Sequence, residues 1–255
     1  MTASTGQGSG IRAVGGSILH AKELAAMTAW YGELFGMPIR EIGPDQPFYA
    51  FDMEGGVDLM LDDHRFAEDQ GKHPICMFKT ADIGRTREWV VRSGIPIVLD
   101  MQRPHDGLAY FNVLDSEGNA LMIVQSDWVN PDPARPMRGD HPIRNRVQSI
   151  VVPVTDLKRA TEWYARLLGQ AIKPERQDGG PIYWFDLEGG AGLLLDDNRQ
   201  HLGWEKFPTF MLNARDIREA YRFATDRGVR TLTEIEFDHH FFAADPEGNS
   251  FIVCL

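Results

Sequence analysis

One stretch of this chain occurs twice. Residues 49–65 read Tyr-Ala-Phe-Asp-Met-Glu-Gly-Gly-Val-Asp-Leu-Met-Leu-Asp-Asp-His-Arg, and residues 183–199 read Tyr-Trp-Phe-Asp-Leu-Glu-Gly-Gly-Ala-Gly-Leu-Leu-Leu-Asp-Asp-Asn-Arg. Setting Phe51 against Phe185, an offset of 134, brings Phe-Asp, Glu-Gly-Gly, two leucines, Asp-Asp and Arg into register. A repeat of this length makes the chain two copies of one fold, and 255 residues leave each copy enough length to bury its own core. Within each copy the Gly-Gly pair supplies a tight turn between segments rich in Phe, Tyr, Val and Leu, the pattern of a β-hairpin.

The hairpin serves as a ruler for the rest. Trp30-Tyr31 matches Trp163-Tyr164 at an offset of 133, and Asp115-Ser-Glu-Gly-Asn119 matches Asp245-Pro-Glu-Gly-Asn249 at 130. Met27, Trp30, Tyr31, Leu34 and Phe35 fall on one face of a helix that Gly36 ends; Ala160, Trp163, Tyr164, Leu167 and Leu168 do the same before Gly169. Asp82, Asp156 and Asp216 stand where N-caps belong. The expected division is a disordered tail over 1–13, a first domain over 14–126, a proline-bearing linker over 127–146 and a second domain over 147–255.

Composition removes several function classes. A net charge of −11 gives no basic stripe for phosphate backbones, so nucleic acid is not an expected partner. No apolar run reaches the roughly 20 residues of a membrane span, and the first ten residues lack the basic and apolar regions of a secretion signal. Cys76 and Cys254 lie in different halves, without metal-binding or redox spacing, as reduced thiols of a cytoplasmic protein would. No glycine-rich phosphate loop, GxSxG or HExxH is present.

Val154-Thr-Asp-Leu157 opening a helix, Trp163-Tyr164 before Leu167-Leu-Gly169, and Asp-Pro-Glu-Gly-Asn249 closing the last hairpin together resemble the vicinal oxygen chelate superfamily. That superfamily includes glyoxalases, extradiol dioxygenases and bleomycin resistance proteins. The resemblance implies an α+β fold of two tandem domains, each of paired βαβββ motifs forming a curled mixed-sheet cup. It also implies three metal ligands per cup. The matching positions here are Gly16, Ile75 and Met122 in the first half and Ser149, Thr209 and Ile252 in the second, counted from the helix-capping acids and the Gly-Asn turns. None of these is a strong hard-metal ligand, so the expectation is no metal and no cofactor.

Candidate ligand contacts are His20, which shares a strand face with Gly16, and Tyr49, Trp184, Asn213, His239 and His240. Adjacent histidines on a strand point to opposite faces, so one of His239 and His240 is expected in the cup. Tyr183, Trp204, Phe241 and Phe242 add aromatic surface, while Asp62-Asp63-His64 and Asp196-Asp197-Asn198 read as a repeated strand exit. The leading expectation is a glyoxalase/bleomycin-resistance-like protein that binds a small organic molecule, cationic or aromatic, as a monomer or homodimer. The alternative is a lyase or dioxygenase, with or without metal, that uses relocated residues such as His239, His240 and Glu234. A scaffold with filled cups is the third class.

Overall fold

The computed structural model describes residues 8–64, 73–127, 140–189, 191–198 and 206–255. The first half runs β1 (Ile11–His20), α1 (Leu24–Phe35), β2 (Phe48–Phe51), β3 (Asp58–Asp62), β4 (Pro74–Thr80), α2 (Ile83–Arg92), β5 (Ile97–His105), β6 (Leu108–Leu114) and β7 (Ala120–Ser126). The second runs β8 (Ile143–Pro153), α3 (Leu157–Leu168), β9 (Ile182–Phe185), β10 (Gly192–Asp196), β11 (Phe210–Ala214), α4 (Ile217–Asp226), β12 (Arg230–Thr231), β13 (His240–Ala244) and β14 (Ser250–Cys254). Each half makes its own seven-stranded mixed sheet: β2-β3-β1-β4-β7-β6-β5 and, in the same spatial order, β9-β10-β8-β11-β14-β13-β12. The two motifs of a half meet where β1 pairs antiparallel with β4, and β8 with β11.

β1 begins inside the stretch expected as tail, and β8 begins at Ile143, inside the expected linker. Residues 1–7, residues 128–139 and Trp204 lie outside the described residues. After the first helix of each half the chain forms no ladder before the hairpin: Pro38, Pro44 and Pro47 remove backbone donors in the first half, and the second half has only a 3-10 turn at Pro174–Arg176.

Local chemistry sets the helix ends. The carboxylates of Asp82, Asp156 and Asp216 accept from backbone N–H groups of the first turns of α2, α3 and α4. Gly36 and Gly169 close α1 and α3 at φ +60° and +63°, a left-handed conformation that a side chain would oppose. Glu23 makes no side-chain cap at α1. The cap comes from the other half: the Glu247 carboxylate accepts from the backbone N–H groups of Lys22 and Glu23, both at 2.7 Å.

That exchange is one of three pairs of contacts that lace the halves together with pseudo-two-fold symmetry. Glu117 repays the capping, accepting from Thr155 N at 2.8 Å and pairing with Arg159. Tyr31 Oη donates to Asp245 at 3.1 Å, and Tyr164 Oη to Asp115 at 2.8 Å, with both phenols fully buried. At the hairpin tips, Glu54 N donates to Asn145 O at 2.7 Å and Glu188 N to Arg12 O at 3.0 Å. Tyr31 and Phe251 on one side, and Phe78 and Tyr164 on the other, carry one hydrophobic core through both halves. No described helix is long and apolar enough to cross a membrane.

Candidate functional site: the cup of the second half

Across the floor of each sheet runs a row of laterally paired residues. In the second half it reads Gly192, Ser149, Met211, Ile252, Phe242; in the first, Asp58, Gly16, Met77, Met122, Asn112. Gly16 and Met122, and Ser149 and Ile252, which the resemblance matched to first and third ligand positions of the superfamily's metal enzymes, fall in these rows. The ladders pair Gly16 and Ser149 with Met77 and Met211, two residues after the expected Ile75 and Thr209. Thr209 instead lies at the seam between halves, its hydroxyl 3.4 Å from that of Ser17. A donor set of Gly, Met and Met, or Ser, Met and Ile, does not fit the hard metal ion of those enzymes. Among the described residues no three His, Cys, Asp or Glu side chains converge elsewhere.

The two cups differ in what occupies them. In the first, a Cβ at Gly16 would stand 2.8 Å from Met77 Cε, and one at Gly15 would stand 3.3 Å from Lys79 Cγ and Cε. The paired glycines thus make room for the Met77 and Lys79 side chains to fold over the floor. In the second cup the same places carry Gln148 and Ser149, and the cup holds a cavity of about 900 Å³. Its floor is Ser149, Leu194, Met211, Phe242 and Ile252, and Trp184, Phe237, His239 and His240 stand around it.

The rim near Phe237 is built against local preference. Phe237 and Asp238 both adopt left-handed backbone, φ +53° and +52°, and Phe237 is 90% exposed. Strain in a non-glycine residue costs of order 1–3 kcal/mol and collects at ligand clamps and active sites. Backbone hydrogen bonds from His239 N and His240 N to Glu236 O hold the turn, and Arg218 ties down Asp238 at 2.6 Å. Within it Glu236 Oε2 lies 3.5 Å from His240 Nε2. Burial pushes the His240 imidazole below its usual pKa, against the opposing pull of Glu236. On the opposite side Arg176 stacks on Trp184 at 4.6 Å from the ring centre and fixes the indole.

Three of the six candidate contacts, Trp184, His239 and His240, line this cavity. Both histidines do so, contrary to the alternation argument, because His239 lies in the turn and β13 begins only at His240. Asn213 joins at one remove, donating to Gln148 Oε1 at 2.6 Å. His20 is in the other half, its Nε2 3.1 Å from the Pro74 carbonyl oxygen and its ring edge-on to His73. Tyr49 faces the helix side of its sheet, where its hydroxyl accepts from Arg40 N, and it borders a separate cleft of about 220 Å³; Tyr183 repeats the contact with Lys173 N. Glu234 turns to Tyr221 Oη at 3.0 Å, so it is Glu236, not Glu234, that joins His240. Phe241 is core, and Phe242 faces the cup. The repeated acidic exits are Asx turns: Asp62 accepts from His64 N and Asp196 from Asn198 N. Gln148, Met211 and Phe237 were not foreseen; the one available signal was that Gln148 adjoins the first ligand position.

Two curled sheets of paired motifs in tandem define a vicinal oxygen chelate protein. The profile of the Glyoxalase/Bleomycin resistance protein/Dioxygenase superfamily matches residues 16–123 and again 146–253, and the chain belongs to that superfamily. Among solved structures it is similar in fold to a catechol 2,3-dioxygenase, at 19% identity and TM-score 0.58, covering 96% of this chain and 87% of that one. A variant of homoprotocatechuate 2,3-dioxygenase from Brevibacterium fuscum gives 11% identity and TM-score 0.66, covering 100% and 74%. The Mn(II)-bound glyoxalase from Novosphingobium aromaticivorans gives 11% and 0.58, covering 95% and 82%. No curated protein matches the sequence.

Proposed function

We propose that the protein holds a small planar organic molecule, neutral or cationic, in the cup of its second half, and acts by sequestration in the manner of the superfamily's resistance proteins. The observation that carries this reading is the open cavity of about 900 Å³, which is within the size range of small-molecule sites and has apolar walls with a few polar groups. In the first cup Met77 and Lys79 pack against Gly15 and Gly16, and we assign that cup no ligand. Titration of the chain with neutral and cationic planar aromatics, followed by tryptophan quenching and calorimetry, is expected to give saturable binding at one equivalent, reduced by Ile252→Trp and insensitive to Met122→Trp. Equal sensitivity to both substitutions, or no saturable binding, would overturn it.

One observation favours a second reading. Glu236 and His240 stand together on the cavity wall, and a largely neutral imidazole steadied by a carboxylate is the pattern of a general base. Under that reading His240 removes a proton from a bound carbon acid and returns it elsewhere on the same molecule, an isomerisation that needs no metal. Solvent deuterium entering a bound ligand, and ceasing to enter with His240→Asn, distinguishes it from sequestration.

A further inference from the structure

We propose that Gln148 and Ser149 form a hydrogen-bond-donor subsite in the floor of the second cup that recognises a carbonyl oxygen on an uncharged or cationic planar ligand. This rests on the binding reading above and specifies the ligand's polar end.

The subsite starts from an irregularity in the sheet. Val147 pairs with Leu212 while Ser149 pairs with Met211, so β8 carries one residue more than β11 over this interval. Such a bulge breaks strand alternation and sends two consecutive side chains, Gln148 and Ser149, to the same cavity. The Gln148 carboxamide is oriented by side chains of the neighbouring floor strands. Its Oε1 accepts from Asn213 Nδ2 at 2.6 Å and from Cys254 Sγ at 2.9 Å. With the oxygen engaged by two donors, the amino group is the part of the carboxamide left to donate to a ligand. Cys254 stays protonated and able to donate, its thiol pushed up to about 12 by burial.

Ser149 stands beside it over Gly192, where a Cβ would come within 3.0 Å of Ser149 Oγ; the glycine leaves the hydroxyl its space. The surroundings are Leu194, Met211, Phe242 and Ile252. Donors on so apolar a floor lose free energy when a ligand covers them without an acceptor, and this makes them selective for one that brings an oxygen. The charge of the site narrows the class. Asp186, Asp196 and Glu236 line the cavity and no described lining residue is lysine or arginine. Arg176, stacked on Trp184, is paired with Asp186, so a carboxylate or phosphate meets more negative than positive charge. Gly15 and Gly16 hold the equivalent places in the first half and offer no side-chain donor.

The test compares 9-fluorenone with fluorene, which share a ring system and differ in the carbonyl, by calorimetry on the full chain. Fluorenone is expected to bind roughly 3- to 10-fold more tightly, the span of one or two neutral hydrogen bonds. Gln148→Met and Ser149→Ala should each shrink that ratio toward one, and thermal melts matching the unmodified chain report that the variants are folded. Fluorenone-4-carboxylate should bind more weakly than fluorenone. Equal binding of fluorenone and fluorene by the unmodified chain overturns the donor subsite and leaves the binding reading standing. Failure of both ring systems to bind overturns both.

Discussion

Asp58 is a carboxylate of the first half that burial makes costly to ionise. It lies at the end of that floor row, its Oδ1 buried without a hydrogen-bond partner. Burial raises its carboxyl from 3.8 to about 6, and Lys79 offsets only part of the effect. Because the folded-state value lies above the unfolded one, the native protein holds this proton more tightly, and stability falls as pH rises between about 4 and 6. A gap of about two pH units at about 1.4 kcal/mol each sets the cost of the ionised group at about 3 kcal/mol above that window. Asp58→Asn mimics the protonated state, so its gain is expected to be about 2 to 3 kcal/mol at pH 7.5 and to vanish near pH 4. Urea unfolding of both proteins at half-unit intervals from pH 4 to 8 gives the difference directly, and thermal melts should separate by about 5 to 10 °C at the upper end. A difference independent of pH, or a less stable variant at pH 7.5, would refute the account of Asp58 as a buried, largely uncompensated carboxylate.

Three further outcomes follow from the way the halves are joined. Tyr164→Phe removes a buried hydrogen bond to the Asp115 carboxyl and should cost about 1.5 to 3 kcal/mol in chemical denaturation; Tyr31→Phe, whose bond to Asp245 is longer at 3.1 Å against 2.8 Å, should cost less. Residues 140–255 expressed alone should form a homodimer by light scattering, since Tyr164, Glu188 and Glu247 of each copy find in the other copy the Asp245, Asn145 and Thr155 that match their present partners; a stable folded monomer would contradict the shared core. Cys76 and Cys254, both fully buried with thiols raised by desolvation, should react with a disulfide reagent at pH 8 only after unfolding.

Much of the architecture was legible because it is local and repeated. Asp82, Asp156 and Asp216 mark helix starts, Gly36 and Gly169 mark ends, and the Gly-Gly pairs mark hairpins, each through the backbone conformation or donor it serves. Site geometry was less legible, since it depends on register. A count of residues from the helix caps pointed to Ile75 and Thr209, but ladder pairing puts Met77 and Met211 in the floor row. The alternation rule separated His239 from His240, but a left-handed Asp238 keeps His239 out of the strand and brings both to the rim. Gln148 was hidden for the same reason: a bulge, not a residue pattern, turns it to the cavity.

The repeated motifs turn out to do what repetition suits. The Glu-Gly-Gly tips and the Asp-x-Glu-Gly-Asn turns are both contacts between halves, each made twice because a pseudo-two-fold interface needs every contact twice. Their retention in both copies reports assembly and is silent about ligand. Function has to be sought where the copies part. Along the floor rows they part at all but one position: Asp58 against Gly192, Gly16 against Ser149, Met122 against Ile252 and Asn112 against Phe242, with methionine shared at 77 and 211. Two of the four differences make the second floor more apolar, and one adds a hydroxyl at its centre. Losing the Asp58 carboxylate and replacing Asn112 by Phe242 leave a more apolar floor, on which Ser149 and its neighbour Gln148 are polar groups facing the cavity.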